Sequence, residues 1–420
     1  MKSLTGYRPV DVPESRIDEF FEIDQWAMVG EWLPEDRQDY VDAVALDRCR
    51  AIEVTDASRG TVGEYAGVHS SFGTEMVVPG GRVPTAGLSW VGVHPMHRRR
   101  GVLRRMMGDH FARCRARGEH VSALYATQAA IYTRFGYGLG SHTVKARIPH
   151  GAKLRKVAGS DALTVRIERA DFDTHDAIVQ SVQDRLTRPG TVITPEGSGR
   201  YARFTDPVGN RDGFERWRIV IVEDAGDPVA YAFFRRKAKK TEGVADGIAQ
   251  VAEQAALTPA ASRRLWSVLS NFDLVATTTT ANLATDDALI RLLADARVTR
   301  PLVIDNLWVR VLDVPAALEA REYYRDLDLT LQVSDRDVPD NAGAWRVVIA
   351  DGRATVGRVE AGVVADVTLD IEELSSAYLG GISLESIASA GLLEEHTPGA
   401  VRDLAIAMHS PVAPHANWDF

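Results

Sequence analysis

The feature that most constrains this chain is a strand, a basic turn and a helix that follow one another between Leu88 and Met107. The run from Leu88 to Val93 is apolar, as in a buried strand, and Pro95 ends it. The helix is indicated by apolar residues at helical spacing, namely Leu103, Met106, Met107, Phe111 and Cys114. The turn between them consists of Arg98, Arg99, Arg100 and Gly101. This order predicts an α/β fold with a basic helix N-terminus.

The basic turn suits a phosphate group for two reasons. The first N–H groups of a helix have no partner inside the helix, and the helix dipole adds about half a positive charge there. A glycine lets the backbone approach a ligand closely, and arginines neutralise a pyrophosphate. A solvated surface turn would explain an isolated Arg-Arg-Arg-Gly sequence. The strand before it and the amphipathic helix after it favour the binding site.

The same residues resemble those of a known family. The spacing Val93-x4-Arg98-x2-Gly101 resembles the acyl-CoA loop of the GNAT N-acetyltransferases, whose pattern is Arg/Gln-x-x-Gly-x-Gly/Ala; Leu103 departs from it. From about residue 10 to its end, the chain resembles the Eis (enhanced intracellular survival) family of GNAT N-acetyltransferases. The motifs that carry this wider match are the stretch 88–104, Ile131-Tyr-x-Arg-Phe-Gly-Tyr-Gly138, Val314-Pro-Ala-Ala-Leu-Glu-Ala-Arg321 and the terminal Asp419-Phe420.

The resemblance implies an α/β (α+β) fold with two tandem GNAT acyltransferase-like domains followed by a sterol-carrier-protein-like α+β domain. Hydrophobic patterns of strands and helices along the chain agree with that order. We expect the first domain to be catalytic and the third to return its C-terminal tail to the active site. The expected bounds of the three domains are 1–150, 151–305 and 306–420.

Three details of this division can be checked. Residues 136–148 are expected to complete the first sheet, and residues 307–312 are expected to be the first strand of the third domain. In the second domain a strand, a turn and a helix recur around Thr258 and Pro259, with Thr as N-cap and Pro at the first helical position. This turn lacks the Arg-x-x-Gly unit, so the second domain is predicted to be degenerate and to bind no CoA.

The resemblance also implies acetyl-CoA as the cosubstrate. Backbone groups of residues 91–93 would pair with its pantetheine arm as an edge strand pairs with a peptide. Where the family usually has Ser-Glu, this chain has Thr127-Gln128, a change that backbone contacts would survive. No metal is expected, because the two cysteines show no ligand spacing. The expected cofactor-binding residues are Val91, Gly92, Val93, Arg98, Arg99, Arg100, Gly101, Val102, Leu103, Arg104, Thr127 and Gln128.

Two catalytic residues are carried over from the family. Tyr132 matches the family's general acid, and a phenol that titrates near pH 10 keeps its proton at neutral pH. The family's base is the carboxylate of the last residue, here Phe420, although chain ends are usually frayed. The alternative bases are His94 and His97, which flank the basic turn, and an acid from the first 40 residues.

The acceptor site is less determined by the sequence. Ser89 and Trp90 match positions that line the family's pocket, with Trp in place of the usual Phe. Asp24, Trp26, Trp32 and Asp419 are further candidates for a large acidic and aromatic pocket that would attract a polycation.

The composition agrees with such an acceptor. With a formal net charge of −9, the chain is not expected to bind nucleic acid or an anionic membrane through bulk attraction, whereas cationic amines are favoured. No apolar run is long enough to span a bilayer, and no signal peptide is recognisable, so a reducing cytoplasm is expected.

Three hypotheses follow. The first is a CoA-dependent N-acetyltransferase acting on cationic amines, including aminoglycosides at several positions. The second is a protein-lysine or polyamine acetyltransferase that uses the same residues. The third is a non-catalytic protein that binds acyl-CoA or a lipid. The resemblance also implies a homohexamer, which no single residue of the sequence indicates.

Overall fold

The computed structural model describes residues 5–194, 197–360 and 362–420. The first part of the chain forms seven strands and four α-helices. In chain order these are β1 (Tyr7–Asp11), α1 (Ile17–Met28), α2 (Arg37–Ala43), β2 (Arg50–Val54), β3 (Tyr65–Val78), β4 (Gly81–Val93), α3 (Val102–Ala116), β5 (Val121–Leu124), α4 (Ala129–Tyr132), β6 (Gly138–Leu139) and β7 (His142–Pro149).

The middle of the chain repeats a similar order of elements. They are β8 (Thr164–Arg169), α5 (Phe172–Gln183), β9 (Val192–Ile193), α6 (Ser198–Ala202), β10 (Arg218–Asp224), β11 (Asp227–Lys237), β12 (Lys240–Thr241), β13 (Val244–Ala245), β14 (Gly247–Ala256), α7 (Pro259–Leu269), β15 (Val275–Thr280), α8 (Ala288–Leu292) and β16 (Leu302–Asp305).

The last part of the chain begins with a strand and a Pro-initiated helix, then continues with a small sheet and terminal helices. The elements are β17 (Trp308–Val311), α9 (Val314–Glu319), β18 (Leu327–Ser334), β19 (Gly343–Ala350), β20 (Arg353–Arg358), β21 (Val367–Asp370), α10 (Ile371–Ala377), α11 (Leu384–Ser389), β22 (Leu393–Glu395) and α12 (Ala400–Met408). In the part of the chain that the structure describes, no helix combines the length and the hydropathy needed to cross a bilayer.

These elements build three main sheets, which define three structural units. The first sheet has the order β1-β2-β3-β4-β5-β17-β6, with β9 added against β3. The second sheet has the order β16-β7-β15-β14-β11-β10-β8, and the third has the order β20-β19-β18-β21-β22. We call the α/β structures around the first and second sheets the first and second units, and the structure around the third sheet the third unit.

The first two units exchange a strand, which the sequence did not predict. β7 lies in the second sheet between β15 and β16, so the expectation that residues 136–148 complete the first sheet is wrong beyond β6. β17 lies in the first sheet between β5 and β6, so this strand is not part of the third sheet. A hydrophobic pattern shows that a strand is buried, but it does not show which sheet supplies its partners. The domain bounds after residues 150 and 305 stay predictions.

Strand β4 stops pairing with β5 after Gly87. It pairs with β5 in parallel only from Thr85 to Gly87, while it continues along β3 to Val93. At Trp90 and Val91 two residues of β4 lie opposite one residue of β3, which is a β-bulge, and Trp90 has a φ of 58°. The bulge and the opening between β4 and β5 leave an edge of backbone groups available to a ligand.

A buried arginine on β17 connects the first sheet to the third unit. Arg310 is fully buried, and its Nη2 donates to both carboxylate oxygens of Asp335 at 2.7 Å. Its Nε donates to the carbonyl oxygen of Phe135 at 2.7 Å. Since a buried charge needs such partners, this contact fixes the loop that follows α4.

Candidate active site

The basic turn lies where β4 leads through a short 3-10 helix, Pro95–His97, into α3. Gly101 is the N-cap of α3 with a φ of 87°, a conformation that favours glycine. Its backbone oxygen accepts the hydrogen bond from Arg105 N at 3.1 Å, and no side chain in the described residues caps the helix. The first N–H groups of α3 are therefore free to bind an anion.

The four arginines expected to bind the cofactor fall into two pairs. Arg98 and Arg99 are exposed beside the N-terminus of α3. Arg100 is half-buried and its Nη1 donates to the backbone oxygen of Arg59 at 3.2 Å. Arg104 forms an ion pair with Asp337 of the third unit at 2.9 Å. The side chains best placed to bind phosphates are therefore those of Arg98 and Arg99.

Tyr132 is the last residue of α4 and lies on the cofactor side of the opening. It packs in one apolar cluster with Val91, Val93 and Leu103. Its ring meets the ring of Tyr137 edge-on, with 5.8 Å between centroids. Burial raises the pKa of the Tyr132 hydroxyl to about 12, so the group holds its proton throughout the neutral range.

The remaining predicted cofactor residues lie around the same opening. Gly92 and Val102 are buried, and Thr127 and Gln128 are exposed in the segment that connects β5 to α4. Gln128 is the N-cap of α4.

A cavity lies between the first and second units, next to the residues of β4 that follow Gly87. It has a volume of about 440 Å³. Both units and the end of the chain contribute to its walls, which include Tyr40, Phe72, Ser89, Trp90, Thr205, Asp206, Asn210, Trp217, Arg235, Trp418, Asp419 and Phe420. We call it the shared cavity. Three of the predicted substrate residues, Ser89, Trp90 and Asp419, meet here.

The C-terminal residue is packed against the first sheet rather than frayed. A Cβ atom at Gly87 would lie 2.8 Å from the Phe420 ring, so the ring needs a glycine at this point of β4. The Tyr125 ring lies 5.3 Å from the Phe420 ring, and Tyr125 Oη donates to the backbone oxygen of Trp418 at 2.7 Å. These contacts bring the end of the chain to the point where β4 and β5 part.

The shared cavity is lined by carboxyl groups and by aromatic rings. Asp419 is exposed to the cavity but closely surrounded by protein, and this desolvation raises the pKa of its carboxyl to about 6. Trp32 does not line the cavity itself; its ring stacks on that of Tyr40 at 3.7 Å and lies 5.8 Å from that of Trp90. The wall also contains Asp206, which lies 3.2 Å from Arg211 and 4.0 Å from Arg235, so the pocket is aromatic and carries carboxylates together with the cation of Arg235.

Two predicted substrate residues lie elsewhere. Trp26 is 56% exposed and packs edge-on against His94, with 5.4 Å between ring centroids. Asp24 is buried behind β4, where its Cα atom is 3.4 Å from the position of a Cβ at Gly92, and burial raises the pKa of its carboxyl to about 6. Neither residue lines the shared cavity, so their role stays a prediction.

The two histidines named as alternative bases are engaged in the turn. His97 is buried; its Nδ1 lies 3.1 Å from Tyr7 Oη and its Nε2 lies 3.4 Å from a Glu64 carboxylate oxygen. Burial lowers the pKa of His97. His94 Nδ1 accepts a hydrogen bond from Met96 N at 3.3 Å. Both rings therefore support the turn that carries the arginines.

Sequence reasoning missed several residues of the site. Gly87 carried a usable signal, since a glycine inside a strand often marks the close approach of another group. Tyr125 and the residues of the second unit that line the cavity, among them Asp206 and Asn210, carried none. Their contribution depends on how the two units face each other, which no local pattern encodes.

Comparison with known families divides the chain in the same order as the fold. Residues 7–140 and residues 200–311 each match a family described as "Acetyltransferase (GNAT) domain". Residues 314–417 match a family described as "Sterol carrier protein domain".

Individual relatives match over most of the chain. An uncharacterized N-acetyltransferase of Streptomyces avermitilis is 36% identical over 385 residues, which cover 90% of this chain and 91% of the relative. N-acetyltransferase Eis of Mycobacterium tuberculosis is 31% identical over 381 residues, which cover 88% and 89%. The crystal structure of Eis1 from Mycobacterium abscessus superposes with a TM-score of 0.82 at 27% identity, covering 99% of this chain and 100% of that one.

Proposed function

The chain belongs to the Eis family of GNAT N-acetyltransferases, and on that premise we propose that it transfers the acetyl group of acetyl-CoA to a primary amine of a cationic acceptor. The observation that carries the proposal is the position of the chain terminus. Phe420 packs on Gly87 of β4 and lines the shared cavity, while Tyr132 belongs to the apolar cluster that includes Val91 and Val93 of the same strand. The terminal carboxylate at this cavity and the Tyr132 phenol near the unpaired end of β4 are the two groups that we propose for proton transfer.

The residues at the donor site fit the chemistry of a CoA thioester. The exposed guanidinium groups of Arg98 and Arg99 and the uncapped N-terminus of α3 suit a pyrophosphate. The edge of β4 beyond Gly87 offers backbone groups to the pantetheine amides, as the sequence predicted for Val91 to Val93. When bound, acetyl-CoA supplies the acetyl group as an activated thioester.

We assign the role of general acid to Tyr132. The leaving thiolate needs a proton, and a phenol whose pKa is raised to about 12 holds that proton at every working pH. Tyr132 packs against the same apolar cluster as Val91 and Val93, which lie on the strand proposed to pair with the pantetheine arm.

We assign the role of base to the terminal carboxylate of Phe420. The attacking amine must lose a proton, and a base must lie within hydrogen-bond reach of it or reach it through a water. His97 already faces Tyr7 Oη and Glu64 through its two ring nitrogens, which weakens its claim as the alternative. A carboxylate beside the shared cavity would also attract a cationic acceptor before reaction.

The acceptor class is inferred from the shared cavity. Its aromatic wall, formed by Tyr40, Trp90 and Trp418, and the carboxyl groups of Asp419 and the chain terminus suit a polycation, so we propose aminoglycosides, acetylated at several positions, as one acceptor class. Asp206 is already paired with Arg211 and Arg235. Polyamines and protein lysines present the same primary amine and are the second candidate. The hypothesis of a non-catalytic binding protein is set aside, because the chain is a GNAT acyltransferase.

The proposal is tested by a panel of acceptors. Thiol release from acetyl-CoA would be measured with tobramycin, kanamycin, spermidine and a lysine peptide, with mass spectrometry to count the acetyl groups. We expect turnover with the aminoglycosides and more than one acetyl group per molecule. Turnover with the lysine peptide or spermidine alone would replace the proposed acceptor class, and hydrolysis without any acceptor would contradict amine acetylation.

A cytoplasmic location and a homohexamer belong to the same proposal. Both cysteines, Cys49 and Cys114, are free and buried, which suits a reducing compartment where CoA is available. Light scattering of the full chain at micromolar concentration would give its assembly state, and a monomer would contradict the hexamer.

A further inference from the structure

The second unit contains a counterpart of the opening that lies between β4 and β5. Strand β14 pairs in parallel with β15 only from Gly247 to Val251, although β14 continues to Ala256. Helix α7 then follows β14, as α3 follows β4. In the first unit this place is the proposed site of the cofactor. In the second unit the C-terminal tail, defined here as residues 411–420, passes along it.

Asn282 joins the tail to this opening. It lies just after β15, and its Nδ2 donates to the backbone oxygen of Ala252 on β14 at 3.0 Å and to the backbone oxygen of Asn417 in the tail at 2.7 Å. The Asn282 side chain thus connects the tail to the part of β14 that no longer pairs with β15.

Asn417 is the second point of attachment. Its side chain is buried, its Nδ2 donates to Gln183 Oε1 of the second unit at 2.9 Å, and its Oδ1 accepts a hydrogen bond at 3.1 Å from Val192 N of β9, which extends the first sheet. Gln183 Nε2 in turn donates to Glu253 Oε1 on β14 at 3.0 Å. Buried polar groups are costly unless they are paired, so this network accepts the tail in one register only.

A buried ion pair extends the network to the aromatic end of the tail. Arg203 pairs with Glu253 and places its guanidinium carbon 4.9 Å from the centre of the Trp418 ring. On the other side, Tyr125 of the first unit holds the backbone oxygen of Trp418. Trp418 is therefore held by contacts from both units.

The same region of the second unit is poorly suited to a phosphate. Pro259 at the start of α7 has no N–H group, and the Thr258 hydroxyl already accepts the hydrogen bond from Ala261 N at 3.1 Å. A space of about 250 Å³ remains beside the first turn of α7, and the tail residues His415 and Asn417 form part of its wall. The tail therefore takes up room that a cofactor would need.

We propose that the second unit acts as a clamp for the chain's own C-terminus, and that Asn282 and Asn417 are positioning residues for the Phe420 carboxylate. The inference rests on the proposed function, in which that carboxylate is the base. Phe420 lies three residues after Asn417, a reach of about 10 Å in an extended chain. Because a displacement of about 1 Å can cost up to about a hundredfold in rate, the amide pair would control turnover without touching the substrate.

The test uses an isosteric variant, Asn282→Asp, in the full chain. The change keeps the size of the side chain but replaces the donor to two carbonyl oxygens with an acceptor, which repels both. Carboxypeptidase A removes aromatic C-terminal residues, so the loss of one phenylalanine, followed by mass spectrometry, reports how often the tail leaves its place. We expect release at least about tenfold faster than in the parent chain.

Turnover and cofactor affinity are measured on the same samples. We expect kcat to fall about tenfold or more, while the Kd of acetyl-CoA and the circular dichroism spectrum stay unchanged, because the donor site lies in the first unit. Asn417→Ala, which removes the contacts to Val192 and Gln183, is the second variant if Asn282→Asp fails to fold. The matched control is Asn271→Ala, at an exposed residue after α7.

The outcomes separate the clamp from the function on which it rests. Release of phenylalanine at the parent rate in both folded variants would overturn the clamp, whatever the activity. Faster release with reduced kcat supports the clamp and the role of the carboxylate together. Faster release with normal kcat supports the clamp but contradicts the carboxylate as base.

Discussion

The first and second units share one fold but differ at the joint between strand and helix. In the first unit Gly101 is the N-cap of α3, exposed arginines lie beside it, and no side chain among the described residues caps the helix. In the second unit Thr258 caps α7, Pro259 removes another N–H group, and Arg263 pairs with Asp161 instead of facing a ligand. Both sheets have an opening where two parallel strands part, and the few residues at the joint determine whether a cofactor can bind there.

The two openings are also connected by the tail. Asn282 and Gln183 of the second unit bind Asn417, Val192 of β9 and Tyr125 of the first unit bind the same segment, and Phe420 packs on Gly87 of the first unit. If the proposed clamp is correct, the second unit positions the terminal carboxylate for the active site of the first unit.

The largest expected effect comes from moving the chain terminus. A short extension after Phe420 replaces the carboxylate with a neutral amide, so we expect turnover with any acceptor to fall to background while acetyl-CoA still binds. The same extension before Met1 should do no harm and serves as the control. Normal turnover by the carboxy-terminally extended chain would show that the tail held by the second unit does not supply the base.

Removing the proton donor is expected to have the next largest effect. Tyr132→Phe deletes only a hydroxyl, so we expect kcat to fall by about 10²–10⁴ with an unchanged Kd for acetyl-CoA. Tyr324→Phe, at a residue that is exposed, is the matched control. Full activity of the first variant would transfer the role of acid to water or to another residue.

Replacing a pair of arginines at each of the two joints tests whether only the first unit binds the cofactor. Arg98→Ala with Arg99→Ala removes two charge-assisted contacts, each worth about 1.5–3 kcal/mol, and should raise the Kd of acetyl-CoA at least about tenfold. Arg263→Ala with Arg264→Ala in α7 should leave that Kd unchanged. If the second pair weakened binding as much as the first, the cofactor would not be confined to the first unit.

The smallest expected effect concerns pH. Because desolvation raises the pKa of the Asp419 carboxyl to about 6, this group becomes neutral as the pH falls through that value. The KM for a cationic acceptor should therefore rise below about pH 6 and stay low above it, and Asp419→Asn should flatten this dependence. A KM that is independent of pH from 5 to 8 in the parent chain would remove Asp419 from the acceptor site.

The joints themselves could be predicted from the sequence because they are local. The basic turn at 98–101, the cap at Thr258 and the start of α7 at Pro259 each follow from the preferences of neighbouring residues, and the structure has the turn and the cap where they were expected. The resemblance to a family pointed to Tyr132 and Phe420, whose catalytic roles stay proposals.

What the sequence could not provide depends on contacts between distant segments. The exchange of β7 and β17 pairs residues far apart in the chain, and either strand would look equally buried in either sheet. Asp24, a predicted acceptor residue, lies behind β4, whereas Asp206, which lines the shared cavity, has no local sequence feature that marks it. The bridge from Asn282 to Asn417 is likewise visible only in three dimensions.

The most direct test of the account is a calorimetric titration of the full chain with acetyl-CoA. The difference between the two joints predicts one site per chain, which weakens at least about tenfold in the Arg98→Ala, Arg99→Ala variant and is unchanged in Asn282→Asp. Two sites of similar affinity, or one site that survives the arginine variant and is lost in Asn282→Asp, would contradict the division of labour between the two units.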